Sequence, residues 1–261
     1  MLYTSYGGAV AMSNQSALSM RYFILMLGVW LAACSPAPTP AVEAAAIPAP
    51  LPVVSRDTVV QREVAPPVVT YDYDTTQWLE LTDLDATIQL DIRYATANNF
   101  VGEVLYDCGR CFLRPAVARA VVAAHQELAT DGLRLKMYDC YRPRPIQYKM
   151  WKIYPRPGYV ANPDKGSVHN RGGAVDLTIV DSLGHELAMG TDYDHFGREA
   201  NHTYYDLPKE VLANRTRLRE LMERHGLAKI RTEWWHYNYT PQHYALAEWV
   251  WPCENTADGN E

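Results

Sequence analysis

The stretch GSVHNRGGAVDLTIVD, residues 166–181, passes from a short polar loop into a β-rich run, and the fold prediction starts from it. Its paired glycines let the loop fold tightly. Alternate residues of a strand face opposite sides, so the apolar residues of the run share one face while Asp176 faces the other, toward a cleft. His169 precedes Asp176 with six residues between them. A lone His and Asp in a loop are more often surface residues, but this arrangement also suits a metal site at a strand end.

Residue periodicity predicts the other elements of the fold. Alternating segments predict strands at 86–96, 133–139, 174–181 and 229–239, and helical spacing of apolar residues predicts helices at 115–132, 144–154 and 208–226. The strands and helices follow one another without strict βαβ alternation. The sequence therefore predicts a single-domain α+β fold, with a mostly antiparallel central sheet flanked by helices.

The composition fits a globular protein that buries a core. The 261 residues are 48% hydrophobic and include 7 Trp and 18 Tyr. The net charge is −6, and the basic residues form neither a block nor a stripe. We therefore expect no nucleic-acid partner.

The N-terminal region carries the pattern of an export signal. Residues 22–35, YFILMLGVWLAACS, are apolar but too short to span a membrane as a helix. They end in Leu-Ala-Ala-Cys, which resembles a bacterial lipobox, in which the cysteine is lipidated and the preceding peptide is removed. We predict a lipoprotein signal peptide over 1–34 with lipidation of Cys34, and Met20 is a candidate start. The alternative is an ordinary secretory signal with an incidental cysteine.

A Pro/Ala-rich segment without periodicity follows the signal. Residues 35–70 are predicted to form an extended tether that holds a domain away from a membrane surface. The folded domain is predicted over 71–261, and about 180 residues suit a single domain.

The remaining cysteines suggest disulfides, since an exported chain meets an oxidising compartment. Four thiols, those of Cys108, Cys111, Cys140 and Cys253, allow up to two disulfides in three connectivities. The short spacing of Cys108 and Cys111 also suits a redox pair or half a zinc site. A zinc site would need a second Cys/His pair at short spacing, and the sequence lacks one. A structural disulfide or buried thiols are therefore favoured.

Any zinc site must be assembled from separate segments. Catalytic zinc takes three protein ligands and leaves one position open, and the helical His-Glu-x-x-His signature is absent. The segment TEWWHYNY (232–239) supplies Glu233 and His236. A buried Glu flanked by Trp has a raised pKa suited to proton transfer. Residues three apart on a regular strand face opposite ways, so both can serve one site only if the strand bends or ends there. The alternative is a core strand in which Glu233 and His236 form a salt bridge.

A third polar segment is YDCYRPRP, residues 138–145. Arg142 follows a predicted strand and precedes a Pro-rich turn, a position from which a side chain can enter a cleft. Its guanidinium could stabilise an oxyanion. The alternative is a plain ion pair with Asp139.

Together the three segments closely resemble the D-alanyl-D-alanine dipeptidases of the vancomycin-resistance type. These are zinc peptidases related to the D-Ala-D-Ala carboxypeptidases and to the hedgehog signalling domain. The family pattern of Ser-x-His, six residues, Asp and a later Glu-x-x-His is matched in order, and IRYATANNF (92–100) is similar to the family's N-terminal strand. The resemblance covers roughly residues 80–240 and implies a hedgehog/D-Ala-D-Ala-peptidase-like fold.

The resemblance implies one Zn²⁺ per chain and a role for each matched residue. It implies His169, Asp176 and His236 as zinc ligands, Glu233 as general base and acid, Arg142 as transition-state stabiliser, and Tyr94, Ser167 and Asp194 as substrate-binding residues. Asp194 lies in GTDYDHF and matches an acidic residue near the substrate's free amine, with Asp192 close by.

The activity implied by the resemblance is zinc-dependent hydrolysis of D-Ala-D-Ala to two D-alanines in cell-wall peptide turnover. Two alternatives stay open. One is a D,D- or L,D-carboxypeptidase or an endopeptidase acting on longer peptidoglycan stems, and the other is a non-catalytic lipoprotein that binds cell-wall peptides. We expect an exported protein, lipid-anchored to the membrane on its periplasmic face, and Ser35 resembles the pattern for sorting to an outer membrane.

Overall fold

The computed structural model describes residues 70–253, so the predicted signal peptide, Cys34 and nearly all of the tether lie outside the described residues. The strands are β1 (Leu79–Glu80), β2 (Gln89–Leu90), β3 (Phe112–Leu113), β4 (Arg134–Asp139), β5 (Ala174–Val180), β6 (Leu227–Lys229) and β7 (His236–Tyr239). The helices are α1 (Leu81–Leu84), α2 (Pro115–Ala129), α3 (Arg144–Ile153) and α4 (Lys209–Arg224), with short 3-10 turns at Arg93–Ala95, His169–Arg171 and Arg198–Ala200.

A five-stranded sheet with the order β2-β4-β5-β7-β6 organises the fold. The edge strand β2 runs parallel to β4, and the other three pairings are antiparallel. Strands β1 and β3 form a separate antiparallel pair. The predicted mixture of helices and sheet is thus confirmed for this part of the chain, and three of the four pairings in the larger sheet are antiparallel.

Helix packing explains why the central strands are buried. Every residue of β5 is buried, including its polar members. Helix α2 packs against both β4 and α4, and its predicted apolar face is buried at Val117, Val121, Ala124 and Leu128. Helix α2 begins at a proline, whose fixed φ suits a first helical turn.

Within residues 70–253, no helix combines the length and the apolar character needed to cross a membrane.

Two predicted strands are much shorter in the structure. The segment 86–96 pairs only at Gln89–Leu90 and then forms a turn at Arg93–Ala95. The segment 229–239 divides into the end of β6 and a strand that begins at His236. Alternating residues identify extended backbone, but a strand also needs a partner. Here the carbonyl of Tyr94 accepts bonds from the amides of Leu105 and Tyr106, in a loop, instead of entering a ladder.

Two disulfides join distant parts of the described chain. Cys108 pairs with Cys253, and Cys111 pairs with Cys140. The reading of Cys108 and Cys111 as a redox pair or half a zinc site is therefore wrong. The second disulfide ties the residue before β3 to the residue after β4, next to the loop that carries Arg142.

Candidate metal centre

Three side chains meet in the cleft at the end of the central strands. His169, Asp176 and His236 are buried, and one ligand atom from each lies within 4.8 Å of the others. The Nε2 atom of His169 is 3.1 Å from Nδ1 of His236. Oδ1 of Asp176 is 2.9 Å from that Nδ1 and 3.3 Å from Nε2 of His169. The sequence segments that supply these residues are far apart, and the fold brings them together.

Sheet register and a tight turn produce this convergence. Asp176 on β5 lies directly opposite His236 on β7 in the antiparallel pairing. His169 begins the turn His169–Arg171, which ends at Gly172 with a φ of 70°. A Cβ at position 172 would lie 2.5 Å from the Trp78 ring, so both the backbone angle and the available space require glycine there.

Each imidazole is oriented by an acceptor on its outer nitrogen. Nδ1 of His169 is 2.7 Å from the carbonyl oxygen of Cys140. Nε2 of His236 is 2.9 Å from Oδ1 of Asn238. A ring that donates from its outer nitrogen presents a lone pair on the inner one, which is the tautomer that binds a metal.

The donor set and its electrostatics fit a divalent cation. Two imidazole nitrogens and one carboxylate oxygen are a three-ligand set of the kind that catalytic zinc uses. Burial alone would lower the pKa of His236, but its hydrogen bond to Asp176 and the charge of that carboxylate raise the pKa to about 9. Burial would raise the pKa of Asp176, yet His169 and His236 hold it well below its usual range. The centre therefore stabilises positive charge at the point where the three ligand atoms meet.

Glu233 lines the same cleft from the loop that precedes β7. Because the strand begins only at His236, the two residues are not bound by strand alternation and both can face the cleft. Burial raises the pKa of Glu233 and the nearby carboxylate of Asp176 adds to this, while His236 acts in the opposite direction. His236 pairs with the carboxylate of Asp176 and not with that of Glu233. The alternative prediction of a Glu233–His236 salt bridge is therefore wrong.

Arg142 forms the predicted ion pair with Asp139 and also lines the cleft. Its Nε and Nη2 donate to Oδ2 of Asp139 at 3.0 and 2.7 Å. Its Nη1 donates to Oε1 of Gln147 at 3.0 Å, and its guanidinium lies 5.0 Å from the centroid of the Tyr94 ring. The ion pair with Asp139 exists, and the arginine that it holds lines the metal-binding cleft.

The predicted substrate-binding residues also line this cleft, which has a volume of about 340 Å³. The hydroxyl of Tyr94 donates to Asp194, 3.1 Å from Oδ2. Asp194 has a φ of 59° and is the only non-glycine residue of 70–253 in the left-handed region. Burial raises its pKa, and the charge of Asp176 adds to that effect. Ser167 lies on the loop before His169, and its Oγ accepts a bond from that residue's amide. Asp192, by contrast, is exposed and lines a separate cleft.

Sequence reasoning missed the residues that hold the site residues in place. Gln147 and the carbonyl of Cys140 are among them, as is Tyr193, whose hydroxyl donates to Oδ2 of Asp176 at 2.9 Å. The only sequence signal for Tyr193 is its position next to Asp194. The sequence predicts Asp139 only as an ion-pair partner of Arg142. In the structure this carboxylate also orients the arginine at the cleft.

A family model described as D-Ala-D-Ala dipeptidase matches residues 74–249 of the chain. Among curated proteins, the chain is 34% identical over 165 residues to a D-alanyl-D-alanine dipeptidase of Escherichia coli, an alignment that covers 63% of this chain and 85% of that protein. It is 30% identical over 191 residues to a D-alanyl-D-alanine dipeptidase of Enterococcus faecalis, covering 64% and 93% respectively. A protein of the same name from Streptomyces coelicolor is 32% identical over 176 residues, covering 59% and 87%.

A solved structure of the vancomycin-resistance D,D-pentapeptidase VanY, a mutant in complex with Zn(II), is also similar. The identity is 17% and the TM-score is 0.33, and the alignment covers 49% of this chain and 73% of that chain. At this TM-score the similarity does not establish a shared fold. The family match and the similarity to the curated dipeptidases do not depend on this structure.

Proposed function

The chain belongs to the D-Ala-D-Ala dipeptidase family, and from this premise we propose that it hydrolyses D-alanyl-D-alanine to two molecules of D-alanine in a zinc-dependent reaction. One observation carries the proposal. The ligand atoms of His169, Asp176 and His236 lie within 4.8 Å of one another, and Glu233 and Arg142 line the same cleft.

His169 Nε2, Asp176 Oδ1 and His236 Nδ1 would hold one Zn²⁺ per chain. Two imidazoles and a carboxylate match the ligand number and ligand types of catalytic zinc sites. When bound, zinc acts as a Lewis acid toward water and toward the oxygen of a carbonyl group.

Glu233 serves as general base and then as general acid. It accepts one proton from the attacking water, whose oxygen bonds to the scissile carbonyl carbon, and it delivers that proton to the leaving nitrogen as the C–N bond breaks. The pKa of Glu233, which burial raises above its usual value, suits this exchange, because a carboxyl that holds a proton more tightly is a better base toward water.

Arg142 stabilises the oxyanion that forms on the carbonyl oxygen. Its guanidinium is already oriented by Asp139 and Gln147 before any substrate arrives. A donor that does not need to reorganise stabilises developing charge more effectively than a mobile one.

Substrate recognition favours a free dipeptide over a longer stem. Asp194 and Tyr94 bind the substrate's ammonium group, and Ser167 lines the cleft beside the zinc ligands. A stem peptide has an amide where the dipeptide has this ammonium, so it cannot neutralise the Asp194 carboxylate.

The deciding assay measures release of D-alanine from D-Ala-D-Ala, its L-isomers and a pentapeptide stem, with and without a chelator. We expect activity on the D,D-dipeptide that is lost with the chelator and restored by zinc. Preference for the stem would favour a carboxypeptidase, and binding of peptide without cleavage would favour a non-catalytic protein.

A Glu233→Ala variant tests the role of the general base. It should keep zinc and lose turnover, and substantial dipeptidase activity at full zinc content would contradict the assignment.

The domain organisation and location belong to the same proposal. The residues before Cys34 are removed as a signal peptide and Cys34 is lipidated. Residues 35–70 form a tether, and 71–261 form one zinc dipeptidase domain of the hedgehog/D-Ala-D-Ala-peptidase type. This domain lies on the periplasmic face, and Ser35 favours the outer membrane. The apolar run that ends in cysteine supports export. The start of the family match at residue 74 and the two disulfides are consistent with it. A Cys34→Ser variant should no longer incorporate labelled fatty acid and should keep the peptide that precedes residue 34.

A further inference from the structure

The two carboxylate oxygens of Asp176 have different partners. Oδ1 faces the imidazoles, 3.3 Å from Nε2 of His169 and 2.9 Å from Nδ1 of His236. Oδ2 accepts a hydrogen bond from the hydroxyl of Tyr193, with an O–O distance of 2.9 Å. The carboxylate is therefore divided between an inner oxygen at the candidate metal centre and an outer oxygen held by a tyrosine.

The ring of Tyr193 is fixed by aromatic neighbours. Its centroid lies 4.8 Å from that of Tyr138, 5.4 Å from that of Trp235 and 6.1 Å from that of Tyr94. The side chain is buried, with 7% of its surface exposed. A ring packed on several sides cannot swing freely, so the direction of its hydroxyl is set before any metal binds.

The same hydroxyl connects the metal centre to the substrate-binding residues. It lies 3.1 Å from the hydroxyl of Tyr94, which donates to Asp194. Each phenol has one proton to donate in a hydrogen bond. Tyr193 donates to Asp176, and Tyr94 donates to Asp194. The backbone at Asp194 is left-handed, and the consecutive side chains of 193 and 194 both join this hydrogen-bond network.

We propose that Tyr193 is a positioning residue that holds Asp176 with a single oxygen directed at the metal and thereby raises the affinity of the site for zinc. The inference rests on the proposed function, because it takes Asp176 as a zinc ligand. A hydrogen bond to the outer oxygen restrains rotation of the carboxylate and keeps the inner oxygen in place. Without the phenol, the outer oxygen would be buried with one fewer donor and the carboxylate could rotate.

The test is a Tyr193→Phe variant, which keeps the ring and removes only the hydroxyl. We expect its zinc dissociation constant, measured by competition with a chromophoric chelator, to rise by about 10- to 100-fold. The visible spectrum of the cobalt-substituted protein should also change, because the carboxylate ligand is no longer held.

Tyr237→Phe is the matched control. Tyr237 is also buried, and its hydroxyl has no hydrogen-bond partner among residues 70–253. Thermal unfolding of both variants without metal checks that each is folded. If Tyr193→Phe binds zinc as tightly as Tyr237→Phe, the inference is overturned while the proposed function stands. If the wild-type protein binds no zinc, or if Asp176→Ala keeps wild-type zinc affinity, the proposed function itself fails.

Discussion

Oδ2 of Asp139 lies 2.7 Å from Nη2 and 3.0 Å from Nε of Arg142, so one carboxylate oxygen accepts two bonds from the guanidinium. Asp139 is fully buried and Arg142 is 8% exposed. The other oxygen of Asp139 accepts a bond from the hydroxyl of Tyr106. A buried charge of this kind is tolerated because its partner is present and its lone pairs are used. The pair therefore both supports the fold and aims the arginine at the cleft.

Replacing Asp139 with Asn should destabilise the protein strongly, since it leaves Arg142 buried without its counter-charge. We expect a loss of about 3–5 kcal/mol in the free energy of unfolding, measured with denaturant in the presence of a chelator. Asp131→Asn is the control, because Asp131 forms an exposed pair with Arg217 that should contribute less than about 1 kcal/mol. Equal effects of the two substitutions would contradict the argument.

Replacing Arg142 with Ala should reduce catalysis at unchanged zinc content. The lost oxyanion donor corresponds to a fall in kcat on the order of 10²–10³. The measurements are steady-state hydrolysis of D-Ala-D-Ala and metal analysis of the purified variant. Arg144→Ala provides the comparison, because Arg144 pairs with Glu248 outside the zinc-ligand cleft and its loss should leave kcat near that of the wild type. A kcat for Arg142→Ala within a few-fold of the wild type would remove the arginine from the mechanism.

Replacing Asp194 with Asn should weaken recognition of the substrate's ammonium group. A hydrogen bond to a charged group contributes about 1.5–3 kcal/mol, so we expect kcat/KM for D-Ala-D-Ala to fall roughly 10- to 100-fold. N-acetyl-D-Ala-D-Ala has no ammonium, and its hydrolysis should change little. The control is Asp192→Asn, two residues away on a separate cleft. If the acetylated and free substrates lose the same factor, Asp194 does not read the amine.

Removing the Cys111–Cys140 disulfide should affect both stability and zinc binding. The bridge closes a 29-residue separation, for which chain entropy predicts about 3–4 kcal/mol of stabilisation. The carbonyl of Cys140 also orients His169, so the double Ser variant should bind zinc more weakly. Removing Cys108–Cys253 should destabilise the protein and spare zinc affinity. Chelator competition and denaturant unfolding on both double variants distinguish these effects, and equal zinc loss in both would show that His169 is not held by this bridge.

The pKa of His202 predicts a loss of stability in mild acid. Burial, together with the charges of Lys229 and Arg215, lowers this pKa from 6.5 to about 4. Between these values the unfolded chain binds a proton that the folded chain does not, so stability falls as the pH drops from 6.5 toward 4. The upper limit is about 3 kcal/mol, reduced by the partial exposure of the ring. His202→Gln should flatten the pH dependence of unfolding relative to the control His185→Gln, which changes an exposed histidine. Parallel curves for both variants would contradict the assignment.

Much of the fold was predictable because it follows from local patterns. Helix α2 and strands β4 and β5 lie within a few residues of their predicted bounds. Their apolar periodicity is long and regular, and Pro115 marks the start of the helix. The segments 86–96 and 229–239 were less predictable, because an extended backbone becomes a strand only when a partner is available, and the partner is not encoded locally.

The candidate site also has features that follow from local sequence and features that depend on distant partners. Residue types and spacings in three short segments, together with the family resemblance that they carry, were sufficient to select His169, Asp176, His236, Glu233 and Arg142 as candidates, and the structure brings them to one cleft. They could not show that Glu233 lies before its strand, or that Asp139 both pairs with and orients Arg142.

The sequence by itself determined which chemical groups are available and the order in which they occur along the chain. The tertiary structure alone decided the pairing of Asp176 with His236 across two strands, the partners of the four cysteines, and the contact of Tyr193 with the outer oxygen of Asp176. The physical reason is that sequence spacing fixes only local geometry. Contacts between residues 17 to 145 positions apart depend on sheet register, loop closure and close packing, which the whole chain satisfies together.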